Sequence, residues 1–192
     1  MNISRTFLVA FLLIGISACI ESESPLSAPD KPDTSVAGLW VSHKDKNNTV
    51  YLHVIVDINK QMKLVKVTHP LTAFGAIGGA EQYEIFPTWS GTETFMNVSF
   101  PASLVSEGEK HTVRYLFIRY RIFPNDTLHV WHMSSEKLRA AIDSGSLKGK
   151  AWDGRWGSNV ILTDSSANLL KYITAHPDIW SEEEVFRKVS IN

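Results

Sequence analysis

From residue 49 the chain alternates. Val50, Leu52, Val54, Val56 and Ile58 fall on one side, and Tyr51, His53, Ile55 and Asp57 on the other. A period of two marks a strand with one well-buried face. Asn59-Lys60 then turns the chain into a second run, 62–68, as a hairpin. Similar runs occupy 36–41, 82–89, 92–100, 111–123 and 127–133. Polar or Gly/Pro-containing breaks separate several of them, at 44–48, Ser90-Gly91, 106–110 and Pro124-Asn125-Asp126. His69-Pro70 interrupts the pattern. The apolar, Gly-rich stretch Phe74 to Ala80 after it is expected to be a loop, acting as a lid or as a lipid contact.

Beyond residue 134 the period lengthens. Leu138, Ala141 and Ile142 share one helical face across 135–144, with Ser134 or Ser135 as N-cap and Gly145 as the stop. A short strand is expected at 160–163. A second helix follows over 164–175, where Leu169, Leu170 and Ile173 come together and Pro177 lies beyond the end. Ser181-Glu182-Glu183-Glu184 fits a capping box, with Trp180 and Val185 as its hydrophobic staple. That predicts a third short helix, although 185–191 also reads as a closing strand. The order of these elements predicts a mainly β domain of the α+β kind. It would be a meandering antiparallel sheet with two or three short helices late in the chain. A long meander hides its edges by closing into a barrel. The domain spans 36–192, and 157 residues suit one core.

The N-terminus is built differently. Arg5 precedes an apolar run from Phe7 to Ile16, about the length of a signal-peptide core and too short for the roughly 20 residues that span a bilayer. Ile16-Ser17-Ala18-Cys19 follows, an aliphatic residue, two small ones and the only cysteine of the chain. This resembles the lipobox of bacterial lipoproteins. The resemblance implies that residues 1–18 are a removed signal peptide and that the Cys19 thiol carries a diacylglyceryl group. It also implies further acylation of the freed amine. Two or three chains make a durable anchor where one does not. Residue 20 is Ile and not the Asp that favours inner-membrane retention in many such lipoproteins. The resemblance therefore places the protein in the cell envelope, on the periplasmic face of the outer membrane. Residues 20–35, IESESPLSAPDKPDTS, are rich in Ser, Pro and acids. The expectation for 19–35 is a lipidated cysteine and a disordered tether, reaching roughly 50 Å when extended.

Removal of 1–18 takes Arg5 and no acid, leaving 18 basic and 20 acidic side chains. Without a basic excess, nucleic acid is not an expected partner. With Cys19 acylated no intrachain disulfide can form. The sequence also offers no catalytic constellation. There is no Gly-x-Ser-x-Gly elbow, phosphate loop or dinucleotide fingerprint, and no His-x-x-x-His pair among the seven histidines. His129 and His132 are three apart on an expected strand and so face opposite ways. No catalytic residue, metal ligand or cofactor is expected, and an enzyme is the less favoured class.

Gly38-Leu39-Trp40 at the head of the first barrel strand resembles the Gly-x-Trp signature of lipocalins. In that family the Trp closes one end of the barrel against a late Arg, a role that falls here to Arg187. Two extra helices depart from the family pattern. The resemblance implies a barrel that binds a small apolar or amphiphilic ligand. In the strand through 114–123, Leu116, Ile118, Tyr120 and Ile122 line one face and Tyr115, Phe117, Arg119, Arg121 and Phe123 the other. Arg119 and Arg121, set among Tyr115 and Phe117, are the candidate clamp for an anionic head group. Six tryptophans, including Trp152 and Trp156 about a turn, are a second candidate surface. The other reading is an envelope interaction or structural module with a filled core and a protein partner.

Overall fold

A computed structural model of the protein describes residues 20–45, 48–70, 79–99, 113–154 and 157–190. The signal run, Cys19, and most of the expected loop at 71–80 lie outside the described residues.

Among the described residues there are eleven strands: β1 (Ile20–Ser22), β2 (Gly38–Asp45), β3 (Asn48–Val56), β4 (Met62–Pro70), β5 (Ala80–Ser90), β6 (Glu93–Ser99), β7 (Tyr115–Phe123), β8 (Thr127–Met133), β9 (Gly149–Gly154), β10 (Gly157–Leu162) and β11 (Trp180–Lys188). Two helices, α1 (Ser135–Asp143) and α2 (Ser166–Ala175), lie between β8 and β11. Strands β2 to β8 pair antiparallel in chain order, and β11 pairs with both β8 and β2. The result is a closed eight-stranded antiparallel barrel, consistent with the lipocalin-like architecture. Closure removes the unpaired edges that an eleven-residue strand such as β5 would otherwise present.

Alternation sorts the side chains into two cores. Val54, Leu64, Ile85, Met96, Val98, Tyr120, Leu128, Val130 and Phe186 point inward and are buried with Trp40 in the barrel. Phe95, Phe117, Met133 and Trp180 point outward from β6, β7, β8 and β11. They are buried against Leu138 and Ala141 of α1, Leu169 and Ile173 of α2, and Val160 and Leu162 of β10. Phe95 and Trp180 stack with centroids 5.5 Å apart. The cap chemistry follows the sequence. The Ser134 hydroxyl accepts from the Lys137 N–H, and Gly145 takes φ +76° just past the helix.

Three expectations need correction. The capping box does not start a helix. Pro177–Ile179 forms one 3-10 turn and the chain then extends as β11, where Glu184 and Phe186 are buried and Val185 is exposed. The hydrogen bonds that close β8 to β2 outweigh a local cap preference worth about 1 kcal/mol. Second, His69-Pro70 does not break a strand, because β4 runs through both and pairs with β3 at Asn48 and Thr49. Third, residues 20–35 are not a free tether. Ile20 and Ser22 pair with Val160 and Leu162 in a parallel ladder, and Ser22 also pairs with Tyr115. Leu26 is 2% exposed, and its N–H donates to Asn97 Oδ1 at 2.8 Å. Ser27 Oγ and Thr88 Oγ1 are 2.7 Å apart, and Tyr120 donates its hydroxyl to Asp33 Oδ2 at 2.7 Å. The stretch is a strap across the barrel wall. Its two aliphatic anchors, Ile20 and Leu26, carry the burial that its mean composition hides.

Candidate functional site

The barrel has two unlike ends. The closed end carries the β3–β4 and β7–β8 turns and the 3-10 turn Thr34–Val36. Trp40 is wholly buried there, and its Nε1–H donates to the Val36 carbonyl at 2.8 Å. The late cation over this ring is Lys188, with Nζ 5.2 Å from the ring centroid, and not Arg187. Register decides this: Lys188 lies opposite Trp40, while Arg187 lies opposite Val41 and is exposed. Gly38 permits the approach. It takes φ +130°, and a Cβ there would sit 3.1 Å from Lys188 Cε. Burial of the Tyr120 phenol, with its hydrogen bond to the Asp33 carboxylate, pushes its pKa far above the usual 10.0.

Toward the other end the interior is less full. Leu52, Leu116 and Ile118 lie on the inward faces of β3 and β7, packed against the barrel core, yet all three keep partial exposure. By register, polar groups gather above them. Lys66 lies opposite Leu52 and Glu81, and Tyr83 opposite Leu64. The Lys66 side chain is only 12% exposed and donates to Glu81 Oε2 at 2.9 Å, and the Tyr83 hydroxyl donates to the same oxygen at 2.8 Å. Burial tends to raise the Glu81 pKa. The hydrogen bonds from Lys66 and Tyr83 and the Lys66 charge prevail and hold it below its usual 4.5. Tyr83 is pushed well above 10.0 by burial and by the Glu81 carboxylate. Ser42 and Glu184, inward on β2 and β11, are buried.

β2 and β11 pair at Val41–Arg187 and Trp40–Lys188, and a concavity of about 660 Å³ lies on the outer wall where they part, lined by Val41, His43, Glu183, Val185 and Arg187 with the buried Ser42 and Glu184 at its base. The inward side chains of this half thus form a cup, with a partly exposed apolar floor of Leu52, Leu116 and Ile118 and a polar rim of Lys66, Glu81 and Tyr83, while Ser42 and Glu184 are buried beside them. Such a site suits a molecule with an apolar body and a polar head.

The residues singled out in the sequence lie elsewhere. Arg119 points outward, its guanidinium carbon 4.5 Å from the Trp131 ring centroid and its Nε 3.8 Å from Glu93. Arg121 pairs with the other Glu93 oxygen at 3.2 Å. Phe117 is buried beneath the helices, and Tyr115 meets Phe86 edge-to-face at 6.2 Å. Tyr115 and Phe86 border an outer groove of about 510 Å³ beside the strap, with Lys31, Lys60 and Lys63 on its lining. The expected arginine clamp is thus not assembled in the barrel. The parity of β7 is the one its sequence indicates, with Leu116, Ile118, Tyr120 and Ile122 inside. Its two faces are nearly equally apolar because both are covered, so composition does not reveal which one points in. The signal for the true rim was a charged residue on the inward parity of an otherwise apolar strand, as at Lys66 after Met62 and Leu64.

Among the described residues no group of three or more His, Cys, Asp or Glu converges as a metal site. His129 lies on the outer wall, its Nδ1 2.6 Å from Glu183 Oε1. Comparison with protein-family models, with curated proteins and with solved structures gives no match to this chain.

Proposed function

We propose that this protein is a lipid-anchored envelope lipoprotein whose barrel binds a small amphiphilic ligand in its open half. The lipobox Ile16-Ser17-Ala18-Cys19 supports the anchor, with Cys19 acylated and the domain on the periplasmic face of the outer membrane. The observation that carries the binding role is the partial exposure of Leu52, Leu116 and Ile118 on the inner face, beneath a polar rim. Apolar surface left accessible inside a barrel costs roughly 25 cal/mol per Å² relative to covering it. An alkyl or ring body seated there recovers that term, while Lys66, Tyr83 and Ser42 offer hydrogen bonds to its head.

The test is titration of the folded domain with a fluorescent amphiphile bearing an alkyl tail, against the Ile118→Arg variant. A guanidinium on the floor should abolish binding while the circular dichroism spectrum stays that of the parent. Unchanged affinity in a folded Ile118→Arg protein would remove the cup from the account. The alternative, docking of an envelope protein, finds support in the outer groove, where Phe86, Val113 and Tyr115 are framed by Lys31, Lys60 and Lys63. It predicts that Tyr115→Ala weakens a partner contact while Ile118→Arg does not.

A further inference from the structure

The strap changes what the anchor implies. Cys19 is joined to Ile20 by a single peptide bond. Ile20 is already built into the fold: it is 7% exposed and paired with Val160, which pairs in turn with Ala151 of β9. No free residue separates the acylated position from the domain, and the domain cannot stand off the bilayer. The part of the surface at the start of β1 must therefore be close to the leaflet that takes the lipid.

β1 and β10 run parallel, so the end of β1 that receives Cys19 is the end of β10 that begins at Gly157. One step from Val160 toward that end is Asn159, and Asn159 pairs with Trp152. Trp152 is an exposed aromatic at 45%, on the face of β9 opposite the buried side of Ala151. Lys150, two residues away on the same face by parity, is exposed as well. An exposed Trp beside a cation suits the headgroup region, where indole rings concentrate and ammonium groups meet phosphates. Because the closed barrel places β3 four strands from β7 in either direction, the outer face of β3 is the wall farthest around from this sheet.

We infer that the outer face of the paired strands β9 and β10, centred on Trp152, is seated in the headgroup layer of the phospholipid leaflet that holds the Cys19 lipid. The inference rests on the reading of Cys19 as the anchor. It makes the bilayer itself the partner of this face and turns the β3 wall toward the aqueous side.

The test uses the full lipidated chain in vesicles of phosphatidylethanolamine and phosphatidylglycerol. Trp152→Cys and Ile55→Cys each introduce one free thiol, since Cys19 is acylated. Ile55 is a 37%-exposed residue on the outer face of β3. Each thiol is labelled with bimane and challenged with lipids that carry a nitroxide quencher near the headgroup. Quenching should be several-fold stronger at position 152 than at 55. Equal quenching, or stronger quenching at 55, with the protein membrane-bound and Cys19 acylated by mass spectrometry, overturns the seat and leaves the anchor standing. An unmodified Cys19 overturns both.

Discussion

The strap gives the sharpest contrast between the composition of a segment and its structure. Leu26 is 2% exposed and belongs to the cluster that contains Phe95, Phe117 and Leu169. Truncation to alanine removes buried methyl groups and leaves a cavity, a change that costs about 2–5 kcal/mol in cores of this kind. For a domain near this size each kcal/mol moves the melting temperature by about 2–4 °C. A loss of about 3 kcal/mol therefore corresponds to a drop of roughly 6–12 °C. The measurement is urea denaturation of the Cys19→Ser chain with and without Leu26→Ala, followed by tryptophan fluorescence. Asn97→Ala serves as a companion. It removes the acceptor of the Leu26 N–H and the donor to Phe86 O and Thr88 Oγ1 in a fully buried site, and should destabilise by about 1–3 kcal/mol or more. A spacer would tolerate Leu26→Ala within about 0.5 kcal/mol, as ordinary surface sites do. That result would show that the strap is not part of the fold.

Three further outcomes follow from the same structure. Tyr83, Tyr120 and Tyr172 all have raised pKa values, from burial first and then from neighbouring carboxylates. Above pH 10 the unfolded chain releases phenolic protons that the folded chain keeps, so the stability these groups contribute is complete below pH 10 and falls as pH rises toward their folded values. Absorbance at 295 nm should show these three ionising late in the native protein and all five together in urea. Asp164, 5% exposed, accepts from Asn168 Nδ2 and from the Lys148 and Ser165 N–H groups, which hold its pKa below the usual 3.8. Its contribution is therefore present above pH 3.8 and lost as pH falls through its folded value. Asp164→Ala should lower stability at pH 7 and flatten the acid limb of the unfolding curve. Finally, Lys66→Met removes the ammonium that holds Glu81 ionised, so the Glu81 pKa should rise in a carboxylate NMR titration.

The barrel was legible where a strand buries one face. Val50 to Val56 alternate so clearly that their pairing with 62–68 follows from the Asn59-Lys60 turn. β11 was legible only as an alternative, the closing strand read at 185–191, since Ser181 to Glu184 satisfies a local helix-start pattern; its pairing with β8 and β2 decides for the strand. β1 and β9 escaped because a three-residue strand and a six-residue edge strand carry too few positions to establish a period. The cup was half legible. Parity separated Arg119 from Ile118 on β7, but helices cover the outer wall, so hydrophobicity does not mark the inside. The rim needed the registers that bring Lys66 to Glu81 across two strands.

A ligand in the open half of the barrel would be seen by native mass spectrometry of the Cys19→Ser chain after gentle purification. The expected spectrum holds a population heavier than the polypeptide by one small amphiphile, released on unfolding and absent from Ile118→Arg. A single unliganded mass, unchanged after incubation with an envelope lipid extract, would contradict it.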